Sequence, residues 1–164
     1  MYIVFFIASI LNIFPDTNCC NSHFVLKNKQ KNVYMYTDNK GMYLIDTIIN
    51  DTILEDYFTG RIYYIENEYA YIEGNYVFDS IKHKGWVLTE NLGIYTLLSS
   101  KVPLYKDPNL SSSVSYIVNP EWYPLKIIKC KREWLYVIYE DKIQKVAGWL
   151  FIDYQCPNSY SPCN

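Results

Sequence analysis

The fold of this chain is decided by the stretch from Lys101 to Asp153, KVPLYKDPNLSSSVSYIVNPEWYPLKIIKCKREWLYVIYEDKIQKVAGWLFID. Short apolar and aromatic runs alternate there with polar breaks, and the stretch closes just after Gly148-Trp149. Strands of this length and spacing are typical of a small antiparallel barrel. Elsewhere in the chain no sustained helical period with caps is present. The sequence therefore predicts an all-β protein.

The strongest strand pair in this stretch is Leu125 to Cys130 followed by Trp134 to Tyr139. Because side chains alternate along a strand, Trp134 and Leu135 begin opposite faces of the second member of the pair. Three further strands are expected, at residues 102–105, 114–118 and 147–150.

A second, more divergent copy of this plan lies upstream. Gly85-Trp86 precedes Gly148-Trp149 by 63 residues, which suits one small barrel. A V-x-x-Y strand opens each half, at Val33 and Val102. Residues 23–31 read as a polar linker, and a break falls at 97–101. The other strands expected in the first half are residues 43–49, 53–58, 62–65, 68–72 and 84–88.

Composition sets limits on the function. The 164 residues are 50% hydrophobic and 20% charged, so the chain can bury a core and general disorder is excluded. A net charge of −2 without clustered Lys or Arg argues against a nucleic-acid partner. The 18 tyrosines are explained first by AT-rich codon usage and β-propensity, and alternatively by an aromatic binding surface.

The N-terminal segment, MYIVFFIASILNIF, is apolar but too short to cross a bilayer comfortably. It fits the core of a secretory signal, so residues 1–20 are expected to be a signal peptide or a lipoprotein signal. Cys19-Cys20 sits where a bacterial lipoprotein carries its lipid, although Asn18 is a poor residue before such a cysteine. The alternative is a buried first strand of a cytosolic protein.

The cysteines support export. The tail CPNSYSPC closes a short loop if Cys156 bonds Cys163, because its Pro-Asn and Ser-Pro pairs form turns. Such a clip belongs in an oxidising compartment. Cys130 competes for either tail cysteine or is a buried small hydrophobe, and the sequence leaves both open.

The tandem plan resembles the bacterial SH3-like (SH3b) domain family. The matching residues of the second half are Leu104-Tyr105, Asp107-Pro108, Trp134-Leu135-Tyr136-Val137 and Gly148-Trp149-Leu150. Those of the first half are Met35-Tyr36, Tyr69-Ala70-Tyr71-Ile72 and Gly85-Trp86-Val87. The first half departs from the family in lacking a Trp before Tyr69 and in an insertion at residues 76–84. The resemblance implies two SH3-like barrels in tandem, at residues 24–97 and 98–164.

Catalytic and metal chemistry are not expected. The two histidines, His23 and His83, lie outside any Cys-His or C-x-x-C pattern, and adjacent acids such as Glu140-Asp141 are typical of solvated turns. We therefore expect a non-enzyme without cofactors. Trp86 and Trp149 are expected to cover the core.

The expected contact surface consists of aromatic residues near the mouth of the second barrel. These are Tyr105, Trp122, Tyr123 and Trp134. Trp122 and Tyr123 lie between prolines in a loop that alternatively folds over the barrel end.

The resemblance implies an exported, non-catalytic binding or scaffolding module of the bacterial cell envelope or periplasm. Its partner would be a cell-wall peptide or glycan, or an envelope protein. A membrane would be contacted only through a lipid at Cys19 or Cys20. The alternative is a small envelope enzyme or enzyme inhibitor with a site between the two barrels.

Overall fold

A computed structural model describes residues 19–27, 32–98, 101–119, 123–158 and 163. The expected signal segment up to Asn18 and the predicted contact residue Trp122 lie outside these ranges. The strands of the described residues are β1 Ser22–Leu26, β2 Val33–Tyr36, β3 Leu44–Ile48, β4 Phe58–Glu66, β5 Tyr69–Tyr76, β6 His83–Leu88, β7 Leu92–Thr96, β8 Val102–Tyr105, β9 Val114–Val118, β10 Leu125–Lys131, β11 Trp134–Glu140, β12 Lys145–Phe151 and β13 Gln155–Cys156. Single 3-10 turns occupy Thr89–Asn91 and Ile152–Tyr154. The all-β prediction is confirmed.

The strands form one open antiparallel sheet rather than two separate barrels. Their order is β3-β2-β6-β5-β4-β1-β7-β10-β11-β12-β8-β9, and β13 pairs with β7. The two halves are hydrogen-bonded to each other through β7, where Ile94 lies opposite Leu125 of β10. The prediction of two tandem SH3-like barrels is wrong on this point, because the sequence pattern did not reveal β7 and its pairing.

The two halves nevertheless repeat one order of elements. The hairpin β2-β3 corresponds to β8-β9, the meander β4-β5-β6 to β10-β11-β12, and β7 to β13, each after a 3-10 turn. In the first half Tyr36 of β2 lies opposite Trp86, and in the second Tyr105 of β8 lies opposite Trp149. The two Gly-Trp pairs therefore occupy equivalent positions.

The glycine of each pair is required by the neighbouring strand. A Cβ on Gly85 would lie 2.9 Å from the carbonyl oxygen of Tyr36, and a Cβ on Gly148 would lie 3.1 Å from that of Tyr105. Both distances are too short for an unstrained contact. The strand that carries Tyr36 or Tyr105 can approach only because the side chain is missing.

The predicted linker at residues 23–31 contains a buried strand. Phe24, Val25 and Leu26 of β1 are at most 1% exposed. This strand pairs with β4 on one side and with β7 on the other. Because both of its faces are covered, it shows no polar alternation that a sequence pattern could reveal.

The strand predicted at residues 53–58 is mostly a turn. The Asp51 carboxylate accepts hydrogen bonds from the backbone N–H groups of Ile53 and Leu54, both at 2.8 Å. The backbone of Asp51 also pairs with that of Asp56 on the far side of the turn. This capping by a side chain competes with strand formation and leaves Ile53 91% exposed.

One hydrophobic core serves both halves. It includes Phe24 and Phe58 from the first half and Ile127 and Leu135 from the second, all fully buried. The continuous core agrees with the continuous sheet.

Two disulfides are present. Cys156 bonds Cys163 with the Cα atoms 5.6 Å apart, as predicted, and Cys20 bonds Cys130 at 5.7 Å. Cys130 is therefore neither a competitor for the tail nor a simple hydrophobe. The thiol of Cys19 is free and exposed. Cys20, expected to belong to the signal segment, is buried and disulfide-bonded and therefore lies in the folded part of the chain. Within the described ranges, no helix is long and apolar enough to cross a membrane.

Candidate binding surface

The outer face of the first half is set by the alternation along β5. Ala70 and Ile72 point inward and are fully buried, whereas Tyr71 and Glu73 lie on the other face and are only partly buried. Because neighbouring strands keep this alternation, residues opposite Tyr71 and Glu73 lie on the same outer face.

Four half-exposed aromatic residues cross this face in a line, one from each of four adjacent strands. Tyr64 lies opposite Tyr71, Tyr71 opposite Trp86, and Trp86 opposite Tyr36. The ring centroids of Tyr64 and Tyr71 are 6.1 Å apart, and those of Tyr71 and Trp86 are 5.4 Å apart. We call these four residues the first aromatic row.

The second half carries a shorter row of aromatic residues at the positions equivalent to the first aromatic row. Tyr105 lies opposite Trp149, and Trp149 opposite Tyr136, with the Tyr136 and Trp149 rings 5.3 Å apart. Lys129 takes the place that Tyr64 has in the first half, because it lies opposite Tyr136. The second aromatic row, Tyr105, Trp149 and Tyr136, therefore ends on a cation.

The tryptophan that the first half lacks is replaced by Tyr69. In the second half Trp134 meets Tyr105 edge-on, with centroids 5.4 Å apart and planes at 87°. In the first half Tyr69 meets Tyr36 at 6.0 Å and also at 87°. Tyr69 therefore makes the same edge-on contact as Trp134, but with a smaller ring.

The predicted contact residues have different environments. Trp134 is buried, with 7% of its surface exposed, and its ring packs against Tyr105 and Phe151. Tyr105 is half-exposed at the head of the second aromatic row, and Tyr123 is 78% exposed. The structure brings Tyr105 and Trp134 together in an edge-on contact, but Trp134 contributes little exposed surface.

The expectation that Trp86 and Trp149 cover the core is wrong. Both are half-exposed on the outer face, and the residues beside them in the strand, Val87 and Leu150, fill the core. The first aromatic row was missed for this reason. The signal that could have revealed it is the alternation of Tyr71 with buried Ala70 and Ile72.

A row of charged residues lies next to the first aromatic row on the same strands. Lys84 lies opposite Glu73, and Glu73 opposite Arg61. Glu73 forms ion pairs with Lys82, at 2.7 Å, and with Lys84. Hydrogen bonds from these two ammonium groups hold the pKa of Glu73 below its ordinary value, and the hydrogen bond to Glu73 raises the pKa of Lys84. We call Lys84, Glu73 and Arg61 the charged row.

The charged row borders a cleft of about 310 Å³, which we call the His23 cleft. Its walls come from β1, β4, β5 and the C-terminal tail, where the Thr59 hydroxyl donates a 3.0 Å hydrogen bond to the carbonyl of Pro157. The His23 ring nitrogen Nδ1 is buried and has no hydrogen-bond partner among the described residues. Burial, together with the positive charge of Arg61, lowers the pKa of His23.

A second cleft lies between the halves. It has a volume of about 450 Å³ and is lined by Glu68, Leu88, Thr89, Glu90, Lys126 and Ile128. These residues include no histidine or cysteine. The other histidine, His83, pairs through Nδ1 with the Asp46 carboxylate at 2.5 Å. Four of the five cysteines are in disulfides, and in the described part of the chain no three His, Cys, Asp or Glu residues group as metal ligands.

Comparison with known proteins adds little. No protein family matches this sequence, and no curated protein matches it. A solved structure of NlpC2 from Trichomonas vaginalis aligns with 83% of this chain at 13% identity and a TM-score of 0.31. The alignment spans 48% of the NlpC2 chain, about half its length. A likeness at this score carries no argument about the fold or the function of this chain.

Proposed function

We propose that this chain is a non-catalytic, exported binding module of the bacterial cell envelope, and that the first aromatic row contacts its ligand, a cell-wall glycan or peptide. The observation that carries the proposal is the line of four half-exposed rings across four strands of one sheet. The resemblance of the repeated Gly-Trp plan to SH3-like domains supports it.

The row suits a binding surface because its rings are already fixed. Tyr and Trp offer large contact areas and lose little conformational entropy on binding. Trp86 rests against Tyr71, and Tyr36 rests against Tyr69, so the ligand does not have to order them. The neighbouring rings are tilted by 40° and 57° to each other, so sugar rings and extended peptides can pack against their faces and edges.

The two disulfides support export. Disulfides persist in oxidising compartments and are rare in the cytosol. The Cys20–Cys130 and Cys156–Cys163 bonds therefore favour a location outside the cytoplasm, and the expected N-terminal signal agrees with it.

Binding to purified cell-wall sacculi tests the proposal. The wild-type chain should sediment with sacculi, and Trp86→Ala should weaken binding roughly tenfold or more, because central aromatic residues dominate such contacts. The control is Tyr43→Ala, which removes an aromatic that is 64% exposed at the sheet edge. A wild-type chain that stays in the supernatant, or equal losses from both variants, would contradict the proposal.

A further inference from the structure

The charged row lies one pleat along the strands from the first aromatic row. Tyr71 and Glu73 are two residues apart on β5, as are Trp86 and Lys84 on β6. Two residues of a strand span roughly 7 Å. That distance is about the width of a sugar ring, so a substituent on a ring stacked against Trp86 and Tyr71 reaches the charged row.

This neighbourhood has an excess of positive charge. Arg61, Lys82 and Lys84 lie beside this surface, and among the described residues that line the cleft Glu73 is the one carboxylate. Two ammonium groups share that carboxylate, so its charge is more than neutralised. The Arg61 side chain lies opposite Glu73 on β4 and lines the His23 cleft.

Arg61 is the best placed of these cations to bind an anion. Its Nη1 donates to the Asn21 side-chain oxygen at 2.6 Å, and Arg61 is among the residues that line the cleft. A guanidinium has five N–H donors in a planar fork that matches a carboxylate or a phosphate.

The floor of the cleft is open to a ligand group. Gly60 and Gly74 lie directly opposite each other among the residues that line the cleft. His23 adds a neutral imidazole whose buried nitrogen has no described partner. The cleft volume of about 310 Å³ has room for a compact anionic group next to Arg61.

We infer that the ligand is an acidic saccharide chain whose sugar ring stacks on the first aromatic row and whose carboxylate or phosphate pairs with Arg61 and Lys82 in the His23 cleft. This inference rests on the proposed function of the aromatic row and adds the charge of the ligand. Glu73 weakens this binding, because its carboxylate competes with the anionic group of the ligand for Lys82 and Lys84.

Calorimetric titration with three probes tests the inference. The probes are an oligogalacturonate, the fully methyl-esterified form of the same oligosaccharide, and a phosphate-linked oligomer of a hexose. The first and third carry the two anionic groups, and the second keeps the sugar without the charge. We expect at least one anionic probe to bind roughly tenfold more tightly than the ester, as one charge-assisted pair implies. Added salt should weaken only the anionic probe.

Three variants identify the groups involved. Arg61→Gln should reduce binding of the anionic probe to the level of the ester. Glu73→Gln should strengthen it by roughly threefold, because Lys82 and Lys84 lose their competitor. Lys142→Gln removes a cation from the 140–145 tip and should change nothing. The opposite effects of the first two variants separate a binding role from a loss of folding.

Equal binding of ester and anionic probes, no binding of any probe, or an Arg61→Gln affinity equal to that of the wild type would overturn the inference. The proposed function fails separately, through sacculi binding that is insensitive to Trp86→Ala. Sacculi binding that needs Trp86 but not Arg61 would leave the aromatic row in place and reject the acidic ligand.

Discussion

At the scale of single residues, His23 combines a structural position with an unusual ionisation. It lies in β1, where its backbone N–H donates to the Gln155 side chain at 3.1 Å, and its ring lines the cleft beside Arg61. The pKa of His23 lies below the ordinary value of 6.5. Burial is the larger cause, and the positive charge of Arg61 is the smaller one. His23 was predicted to lie in a polar linker, and no sequence pattern indicated that its ring is buried beside Arg61.

This lowered pKa predicts a loss of stability in mild acid. In the unfolded chain His23 takes up a proton near pH 6.5, whereas in the folded chain it does so only at lower pH. Between these values the unfolded state binds more protons, so the free energy of unfolding falls as the pH falls. Above that window the contribution is constant. His23→Gln should flatten the change in unfolding free energy between about pH 7.5 and about pH 5.5, measured by urea denaturation.

The carboxylates of Glu73 and Asp141 do not produce this effect. The pKa values of Glu73 and Asp141 are lowered from 4.5 and 3.8, so their contributions are lost only in stronger acid. An unchanged slope in His23→Gln would show that His23 does not titrate differently on folding.

At the scale of elements, the second half was the more predictable one. The predicted strands 102–105 and 114–118 match β8 and β9 to the residue, and the pair around residues 125–139 became β10 and β11 with small extensions. Alternation and turn residues are local signals, so they reveal such hairpins. The strands β1 and β7 were not predicted as strands, because their stability comes from partners far away in the chain.

The buried strand β1 can be distinguished from a linker by one substitution. Phe24 is fully buried and its ring lies 6.0 Å from that of Phe58. Phe24→Ala should lower the free energy of unfolding by about 3–5 kcal/mol, the usual cost of emptying an aromatic site in a core. The exposed neighbour Lys27→Ala should cost less than about 0.5 kcal/mol. Chemical denaturation measures both, and similar small losses would place residues 22–26 outside the core.

At the scale of the whole molecule, the shared strand β7 and the shared core predict one cooperative unfolding transition. The tail contributes to this cooperativity, because Pro157 follows β13 of the second half and accepts a hydrogen bond from Thr59 of the first. Two small barrels would unfold in two steps. The sequence could predict the repeat from its Gly-Trp pairs, but the pairing between the halves depends on contacts that no local pattern encodes.

The two disulfides should differ in their effect on this transition. The Cys156–Cys163 bond closes a loop of 7 residues' separation, and the Cys20–Cys130 bond one of 110. On the chain-entropy model the shorter loop adds roughly 2–3 kcal/mol to the free energy of unfolding, and the longer loop adds about 5 kcal/mol. Replacing both cysteines of a pair by Ser should therefore lower the melting temperature more for Cys20 and Cys130, with a single calorimetric transition in each case. Two resolved transitions, or the reverse order, would contradict this view of the fold.

The Cys20–Cys130 bond also determines which part of the chain can bear mechanical load. When the two ends are pulled apart, tension passes from residue 20 directly to residue 130 through the bond, and the 110-residue separation between them is bypassed. The first aromatic row and the charged row both lie inside that bypassed segment. A chain loaded at its two ends would then keep both rows free of tension, while the strands after residue 130 carry the force.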